Sequence, residues 1–201
     1  MIRNIVFDFG GVLVDWNPEY LFKDVFKDKA ELEHFLENIC TPDWNEKQDA
    51  GRPLSEAIRT LQKRHPKYRN EIHLYYDEWT TMLGGPIKHN VALLKPLKVN
   101  YRLFGLTNWS AETFPIAYDL YPFFAEFEGT VVSGEVRLAK PDERIYLLLL
   151  ERYGLAASEC LFIDDNERNT RAATTLGIHA LHLKNDTCLK EELKHLGIRG
   201  L

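Results

Sequence analysis

The chain has 201 residues and a formal net charge of −5, with 45% hydrophobic and 27% charged residues, a composition typical of globular domains. The acidic balance argues against binding to nucleic acids or to anionic membranes. We find no apolar stretch of membrane-spanning length, no signal-peptide pattern at the first residues, and no CxxC spacing among the three cysteines. We therefore expect a cytoplasmic protein with reduced thiols.

The first predicted element is a buried strand that ends in a carboxylate. Residues 3–8 read Arg-Asn-Ile-Val-Phe-Asp, and their apolar run is continuous, as in strands of parallel sheets covered on both faces. Gly10 and Gly11 follow Asp8, and glycines let a backbone approach a bound phosphate closely. The pattern is typical either of a simple turn or of a phosphate or metal site.

Residues 17–86 carry helix signals only, and the remainder of the chain alternates. Asn17-Pro18, Thr41-Pro42 and Pro53 are typical helix starts. After residue 86, we predict strands at 101–106, 127–133, 160–163 and 178–183, separated by helices at 91–97, 110–120, 142–153 and 167–176. This alternation predicts an α/β fold with a Rossmann-like parallel sheet and helices on both faces. We place the core at 1–16 and 87–201, with an all-helical insert at 17–86 after the first strand.

Polar side chains stand at the carboxyl ends of four predicted strands. Asp8 ends the first strand, Thr107-Asn108 follow the second, Lys140 lies in the loop after the third, and Asp164-Asp165 end the fourth. Ligands of open parallel sheets bind at this edge. We therefore expect these side chains to form one site.

The residue types at this edge are suited to phosphoryl transfer. Asp8 is the candidate nucleophile, which would form an aspartyl-phosphate. Asp8 and Asp165 are candidate ligands of a Mg²⁺ ion. Thr107 and Lys140 would hold the non-bridging phosphate oxygens, where transition-state charge spreads.

Four motifs in this order resemble those of the haloacid dehalogenase superfamily, most of whose members are Mg²⁺-dependent phosphatases. The motifs are FDFGG at 7–11, LTN at 106–108, AKPD at 139–142 and IDDNERN at 163–169. The resemblance covers almost the whole chain, and the helical insert stands where the family has its cap domain.

This resemblance implies a site, a cofactor and a substrate class. The cofactor is Mg²⁺, and the substrate is a small phosphorylated metabolite. The resemblance assigns Asp8, Thr107 and Lys140 to catalysis; Thr107, Asn108, Lys140 and Gly11 to substrate binding; and Asp8, the Gly10 carbonyl, Asp164 and Asp165 to the metal. Asn169 is expected to orient Lys140 or a metal-bound water.

Gly10 departs from the pattern of most phosphatases of this superfamily. They carry a second Asp there, which protonates the leaving oxygen and later activates water. A subgroup similar to bacterial sugar-1-phosphatases and to the phosphatase domain of epoxide hydrolases has FDxGN or FDxGG motifs. We therefore expect substrates with good leaving groups, such as sugar 1-phosphates.

Two other interpretations stay open. LTNWSAETFP at 106–115 resembles the 2-haloacid dehalogenases, in which the same Asp displaces halide without a metal, whereas Asp164-Asp165 indicates a Mg²⁺ site. A catalytically weakened phosphate-binding or regulatory protein is the third interpretation. Within the helical insert, Trp44, Gln48 and Trp79 are more typical of core packing than of substrate contact.

Overall fold

The computed structural model describes residues 1–184 and 186–201, and its centre is a five-stranded sheet in the order β5-β4-β1-β6-β7. Every strand pair in this sheet is parallel, which confirms the predicted α/β fold. The strands are β1 (Asn4–Phe7), β2 (Val14–Trp16), β3 (Leu83–Pro86), β4 (Arg102–Thr107), β5 (Gly129–Val132), β6 (Cys160–Asp164) and β7 (His179–His182).

Helices connect and cover the strands. They are α1 (Glu19–Val25), α2 (Lys29–Asn38), α3 (Pro42–Asp49), α4 (Leu54–Arg64), α5 (Arg69–Asp77), α6 (Lys88–Val91), α7 (Leu94–Lys98), α8 (Phe114–Leu120), α9 (Ser133–Val136), α10 (Glu143–Tyr153), α11 (Glu167–Thr175) and α12 (Leu189–His195). Short 3₁₀ turns occupy Pro66–Tyr68, Trp79–Met82, Pro122–Glu126 and Ala157–Glu159. Within the described part of the chain, none of the helices combines the length and apolar character required to cross a membrane.

The central strand β1 is buried on both faces, as its continuous apolar run predicts. Ile5 and Phe7 belong to a core that extends to Phe22 and Phe35 in the helical insert. Val6, which points the other way, belongs to the core beneath α10. Both faces of the sheet are therefore covered.

The order of the strands creates a crevice at one end of β1. The chain leaves β1 for β4 and β5 on one side, then returns to β6 and β7 on the other. Phe7 is in register with Gly105 of β4 and Ile163 of β6. The carboxyl ends of these three neighbouring strands therefore meet where the topology switches direction, the usual ligand site of such sheets.

A short antiparallel ribbon of β2 and β3 joins the two ends of the helical insert, and the sequence analysis missed it. Val14 pairs with Pro86, and Asp15 pairs with Gly85. The three residues of β2 are too few for an alternating pattern to be visible, and β3 lies within 17–86, which we predicted to be all helical. The last helix of the insert, α5, ends at Asp77, and a separate 3₁₀ turn leads into β3.

Candidate active site

Lys140 joins carboxylates from two strands at this edge. Its Nζ lies 2.9 Å from Oδ2 of Asp8 and 2.6 Å from Oδ2 of Asp164, and its side chain is completely buried. Burial favours the neutral amine, but the carboxylates of Asp164 and Asp8 outweigh that effect and raise the pKa of Lys140. Lys140 therefore provides a fixed positive charge beneath the strand ends.

Asp8 is buried next to two other carboxylates and one lysine, so negatively charged neighbours outnumber positively charged ones. Burial, with the carboxylates of Asp164 and Asp165 adding to it, raises the pKa of Asp8 to about 8, although Lys140 acts in the opposite direction. A divalent cation beside Asp8 would favour its ionised form, because bound cations reverse local pKa effects.

The acidic residues at this edge fit a Mg²⁺ ion. Asp8, Asp164 and Asp165 each offer one carboxylate oxygen, and these atoms all lie within 4.8 Å of one another. Mg²⁺ prefers oxygen ligands and is commonly held by one or two carboxylates. The donor set is therefore of the right chemical kind.

Asp164, the last residue of β6, and Asp165, which follows it, differ in the hydrogen bonds that they accept. Oδ1 of Asp164 accepts hydrogen bonds from the Asn166 N–H at 2.8 Å and from Asn169 Nδ2 at 3.0 Å. Its Oδ2 accepts from Lys140 at 2.6 Å and from Asn169 at 3.1 Å. Three donor groups thus make four contacts, which match the roughly four lone-pair sites of a carboxylate. Asp164 is thus suited to hold Lys140, and Asp165, exposed at the cavity, is better placed for a metal.

The amide of Asn108 fixes the backbone of Lys140. Its Nδ2 donates to the Lys140 carbonyl at 2.9 Å, and its Oδ1 accepts from the Lys140 N–H at 2.8 Å. The structure therefore gives the Asn108 side chain a role in positioning Lys140. The neighbouring Thr107 hydroxyl is buried and has no hydrogen-bond partner among the described residues. Because such a group costs free energy, Thr107 fits a contact with a phosphate oxygen.

The two glycines after β1 differ in whether the structure has room for a side chain at their position. Gly11 has φ +70°, and a Cβ there would stand 2.2 Å from Oδ2 of Asp165. A Cβ at Gly10 would meet no atom within 4 Å. Gly11 is therefore required for the close approach to Asp165, whereas Gly10 has room for a side chain.

A pair of alanine substitutions tests this difference. We expect Gly11→Ala to lower the free energy of unfolding by about 1–2 kcal/mol, the cost of a left-handed backbone for a residue with a Cβ, and to weaken Mg²⁺ binding by displacing Asp165. Gly10→Ala is the matched control and should change the free energy of unfolding little. Denaturant unfolding and calorimetric Mg²⁺ titration measure both effects, and equal stabilities of the two variants would contradict the interpretation.

A cavity of about 220 Å³ lies between the strand ends and the helical insert. The core contributes Asp8, Gly10, Trp16, Asn108, Trp109, Ser110, Thr113, Asp165, Asn166 and Asn169, and the insert contributes Asn45, Glu46, Asp49, Tyr76 and Trp79. Trp44 and Gln48 are buried, in agreement with the packing role predicted for them. The same prediction is incomplete for Trp79, which is buried but also lines this cavity.

Comparison with known proteins identifies the family. The profile of haloacid dehalogenase-like hydrolases matches residues 2–177. The chain belongs to this family. A sesquiterpene phosphatase, AstK of Aspergillus oryzae, is 26% identical and aligns over 95% of this chain and 94% of its own length. This relative supports phosphatase activity for the present haloacid dehalogenase-like hydrolase.

Solved structures show the same fold. A haloacid dehalogenase family enzyme of Bacteroides thetaiotaomicron, solved as a magnesium complex, superposes with a TM-score of 0.77 at 21% identity and covers 96% of this chain and 98% of its own. An L-2-haloacid dehalogenase superposes with a TM-score of 0.61 at 20% identity, covering 92% of this chain and 85% of its own. The present chain thus shares its fold with a magnesium-bound enzyme of the family and with a dehalogenase.

The structure of this haloacid dehalogenase-like hydrolase brings the predicted residues together at one sheet edge. Two further residues, which the sequence analysis did not single out, connect the helical insert to that edge. The Ser133 hydroxyl donates to the carbonyl of Asp49 and accepts from the Trp109 N–H at 2.9 Å. No local signal marks Ser133 or Asp49, because the contact joins segments more than 80 residues apart.

Proposed function

We propose that this protein is a Mg²⁺-dependent phosphatase that hydrolyses a small phosphate monoester through an aspartyl-phosphate on Asp8. The observation that carries the proposal is the position of Asp8, 2.9 Å from the buried Lys140 and within the group of three carboxylates. A nucleophile, a fixed cation and oxygen ligands for a metal are the components that phosphoryl transfer requires.

In the first step, an oxygen of Asp8 attacks phosphorus and the alcohol leaves. Lys140 and Thr107 stabilise the charge on the non-bridging oxygens. Asp8 and Asp165, with the carbonyl of Gly10, would hold Mg²⁺, which would supply further neutralisation of phosphate charge. Asp164 and Asn108 keep Lys140 in place through the contacts described above.

The size and lining of the cavity support a small substrate whose alcohol portion packs against aromatic side chains. Its volume of about 220 Å³ lies below the ~300–1,000 Å³ typical of ligand pockets. Trp16, Trp79 and Trp109 line it, and indole rings provide flat apolar surface with a polar edge. Sugar 1-phosphates and aryl phosphates are the classes that we propose first.

We further propose that residues 17–86 act as a cap on the core formed by 1–16 and 87–201. Two contacts across the boundary support this division. Arg168 of α11 pairs with Glu46 of α3 at 3.2 Å, and the N–H of Leu54 donates to Glu112 at 2.8 Å. A cap in this position excludes water while the phosphoryl group transfers.

A parallel assay of two reactions tests the function. We expect Mg²⁺-dependent phosphate release from members of a panel that includes glucose 1-phosphate and p-nitrophenyl phosphate, and no halide release from 2-chloropropionate. The same nucleophile serves both chemistries, so only the products separate them. Halide release without phosphate release would assign the protein to the dehalogenases.

A further inference from the structure

The site at the strand ends does not contain a proton donor for the leaving oxygen at the position that the family usually uses. Gly10 has no side chain, and Lys140 is held between Asp8 and Asp164. In an in-line displacement the alcohol oxygen departs on the side of phosphorus away from the nucleophile. With Asp8 at the sheet edge, that side of the cavity is the one that the helical insert lines.

Asp49 is the residue of the insert that is best placed to donate a proton to the leaving oxygen. It lies at the end of α3, lines the same cavity as Asp8, and is partly buried. Its carbonyl accepts the hydrogen bond of Ser133, which fixes the end of α3 against the core. Its carboxyl lies against the backbone N–H of Ser110, three residues after Thr107.

A chain of hydrogen bonds inside the insert fixes the orientation of the Asp49 carboxyl. Gln48 donates to the Tyr76 hydroxyl at 2.8 Å, and that hydroxyl donates to Asn45 Oδ1 at 2.8 Å. Asn45 Nδ2 in turn donates to Oδ2 of Asp49 at 3.0 Å. Arg52 holds the other end of this chain through Gln48 at 2.7 Å. These contacts hold the Asp49 carboxyl through its Oδ2.

We infer that Asp49 is the catalytic acid and base of this enzyme. It would replace the Asp that most phosphatases of the family carry at the position of Gly10, and the inference rests on the proposed phosphatase function. In the first half-reaction, Asp8 forms a bond to phosphorus and the ester P–O bond breaks. The proton on Asp49 passes to the leaving alcohol oxygen, so that Asp49 ends as a carboxylate.

The second half-reaction restores both acids. A water oxygen attacks phosphorus, one water proton moves to the Asp49 carboxylate, and the bond between phosphorus and Asp8 breaks. The electron pair of that bond returns to Asp8 as a carboxylate. Phosphate leaves with the water oxygen, and Asp49 is protonated again for the next substrate.

The environment of Asp49 supports this assignment. Burial raises the pKa of its carboxyl to about 7, with the nearby Glu46 adding to the shift and the Ser110 N–H opposing it. A catalytic acid works best when its pKa lies near the working pH. Among the other described groups of the insert that line the cavity, Glu46 pairs with Arg168 at 3.2 Å, and the Tyr76 proton is committed to Asn45.

The inference changes how strongly the rate is expected to depend on the leaving group. Without a proton donor, the enzyme would strongly prefer substrates that leave as stable anions. With Asp49 as donor, that preference is expected to be small in the wild type and to appear when Asp49 is replaced. Two substrates of similar shape, p-nitrophenyl phosphate and p-nitrobenzyl phosphate, isolate the effect, because the first releases a stabilised phenolate and the second an alkoxide.

The test compares kcat/KM for both substrates in wild type, Asp49→Asn and Asp43→Asn. Asp43 is exposed in the first turn of α3, which makes its variant the matched control with unchanged activity. We expect Asp49→Asn to lower kcat/KM for the benzyl ester by about 10²- to 10³-fold, within the range of acid catalysis, and for the phenyl ester by less than about tenfold. Gly10→Asp, for which the backbone has room, is expected to restore the benzyl ester reaction in the Asp49→Asn protein.

Equal losses for the two esters, no loss for either, or the same selective loss in Glu46→Gln would overturn the inference. Should Asp49→Asn fail to fold by circular dichroism, the wild type decides on its own. A strong preference of the wild type for the phenyl ester, by 10²-fold or more, would also overturn it. Failure of the proposed function has a different signature, since neither ester would then be hydrolysed by the wild type.

Discussion

Replacement of Asp8 by asparagine is expected to lower kcat by at least about 10⁴-fold, the order found when a catalytic nucleophile is removed. The amide of asparagine is a poor nucleophile and cannot carry the phosphoryl group. Asparagine keeps the size of the side chain, so the cavity keeps its shape. A variant that retained a tenth of wild-type kcat would exclude Asp8 as the nucleophile.

The same variant should remain folded. Burial raises the pKa of Asp8 to about 8, so the folded protein binds this proton more tightly than the unfolded chain does. At neutral pH the metal-free protein must therefore take up a proton on this carboxyl when it folds, which lowers its stability, and the neutral amide removes that cost. We expect Asp8→Asn to match or exceed the wild-type free energy of unfolding in EDTA, measured by denaturant titration. A clear decrease would show that Asp8 is a structural residue.

Chelation of divalent cations with EDTA is expected to abolish phosphate release, and added Mg²⁺ to restore it. The reason is the group of carboxylate oxygens within 4.8 Å of one another, which Lys140 alone does not neutralise. The measurement is the initial rate of phosphate release as a function of free Mg²⁺. Phosphate release that persists in EDTA would contradict the metal assignment, and halide release in EDTA would favour the dehalogenase interpretation.

Variants of the two adjacent acids separate their roles. Asp165→Asn should raise the Mg²⁺ concentration for half-maximal activity by about tenfold or more, as the loss of a group at a metal site typically does. Asp164→Asn should lower kcat more than it changes Mg²⁺ affinity, because Asp164 already accepts hydrogen bonds from Lys140, Asn166 and Asn169. Identical effects of the two substitutions would contradict this division.

The sequence predicted the sheet edge well because strand ends leave a local signal. The continuous apolar run before Asp8 predicts a strand buried on both faces, and the structure buries Ile5 and Phe7 against one core and Val6 against the other. Parallel strands then bring their carboxyl ends together without further information. The convergence of Asp8 and Asp164 on Lys140 follows from that geometry.

Contacts between distant segments could not be predicted in this way. The ribbon of β2 and β3 depends on pairing Val14 with Pro86 across the whole insert, and neither strand has enough residues to show a period. Asp49 looks like an ordinary acid in the last turn of a helix, and only the packing of α3 against Ser110 and Ser133 brings it to the cavity. The two hydrogen bonds between the Asn108 amide and the Lys140 backbone could not be predicted from the sequence for the same reason.

The most direct test of the central claim is the covalent state of Asp8 during turnover. We would mix the enzyme with Mg²⁺ and p-nitrophenyl phosphate, quench with acid at millisecond intervals, and measure both free phosphate and the mass of the peptide that contains Asp8. Phosphoryl-Asp8 is predicted to appear before free phosphate and to decline as the substrate is exhausted, with none in Asp8→Asn. Free phosphate that accumulates from the first time point while Asp8 remains unmodified would contradict the account.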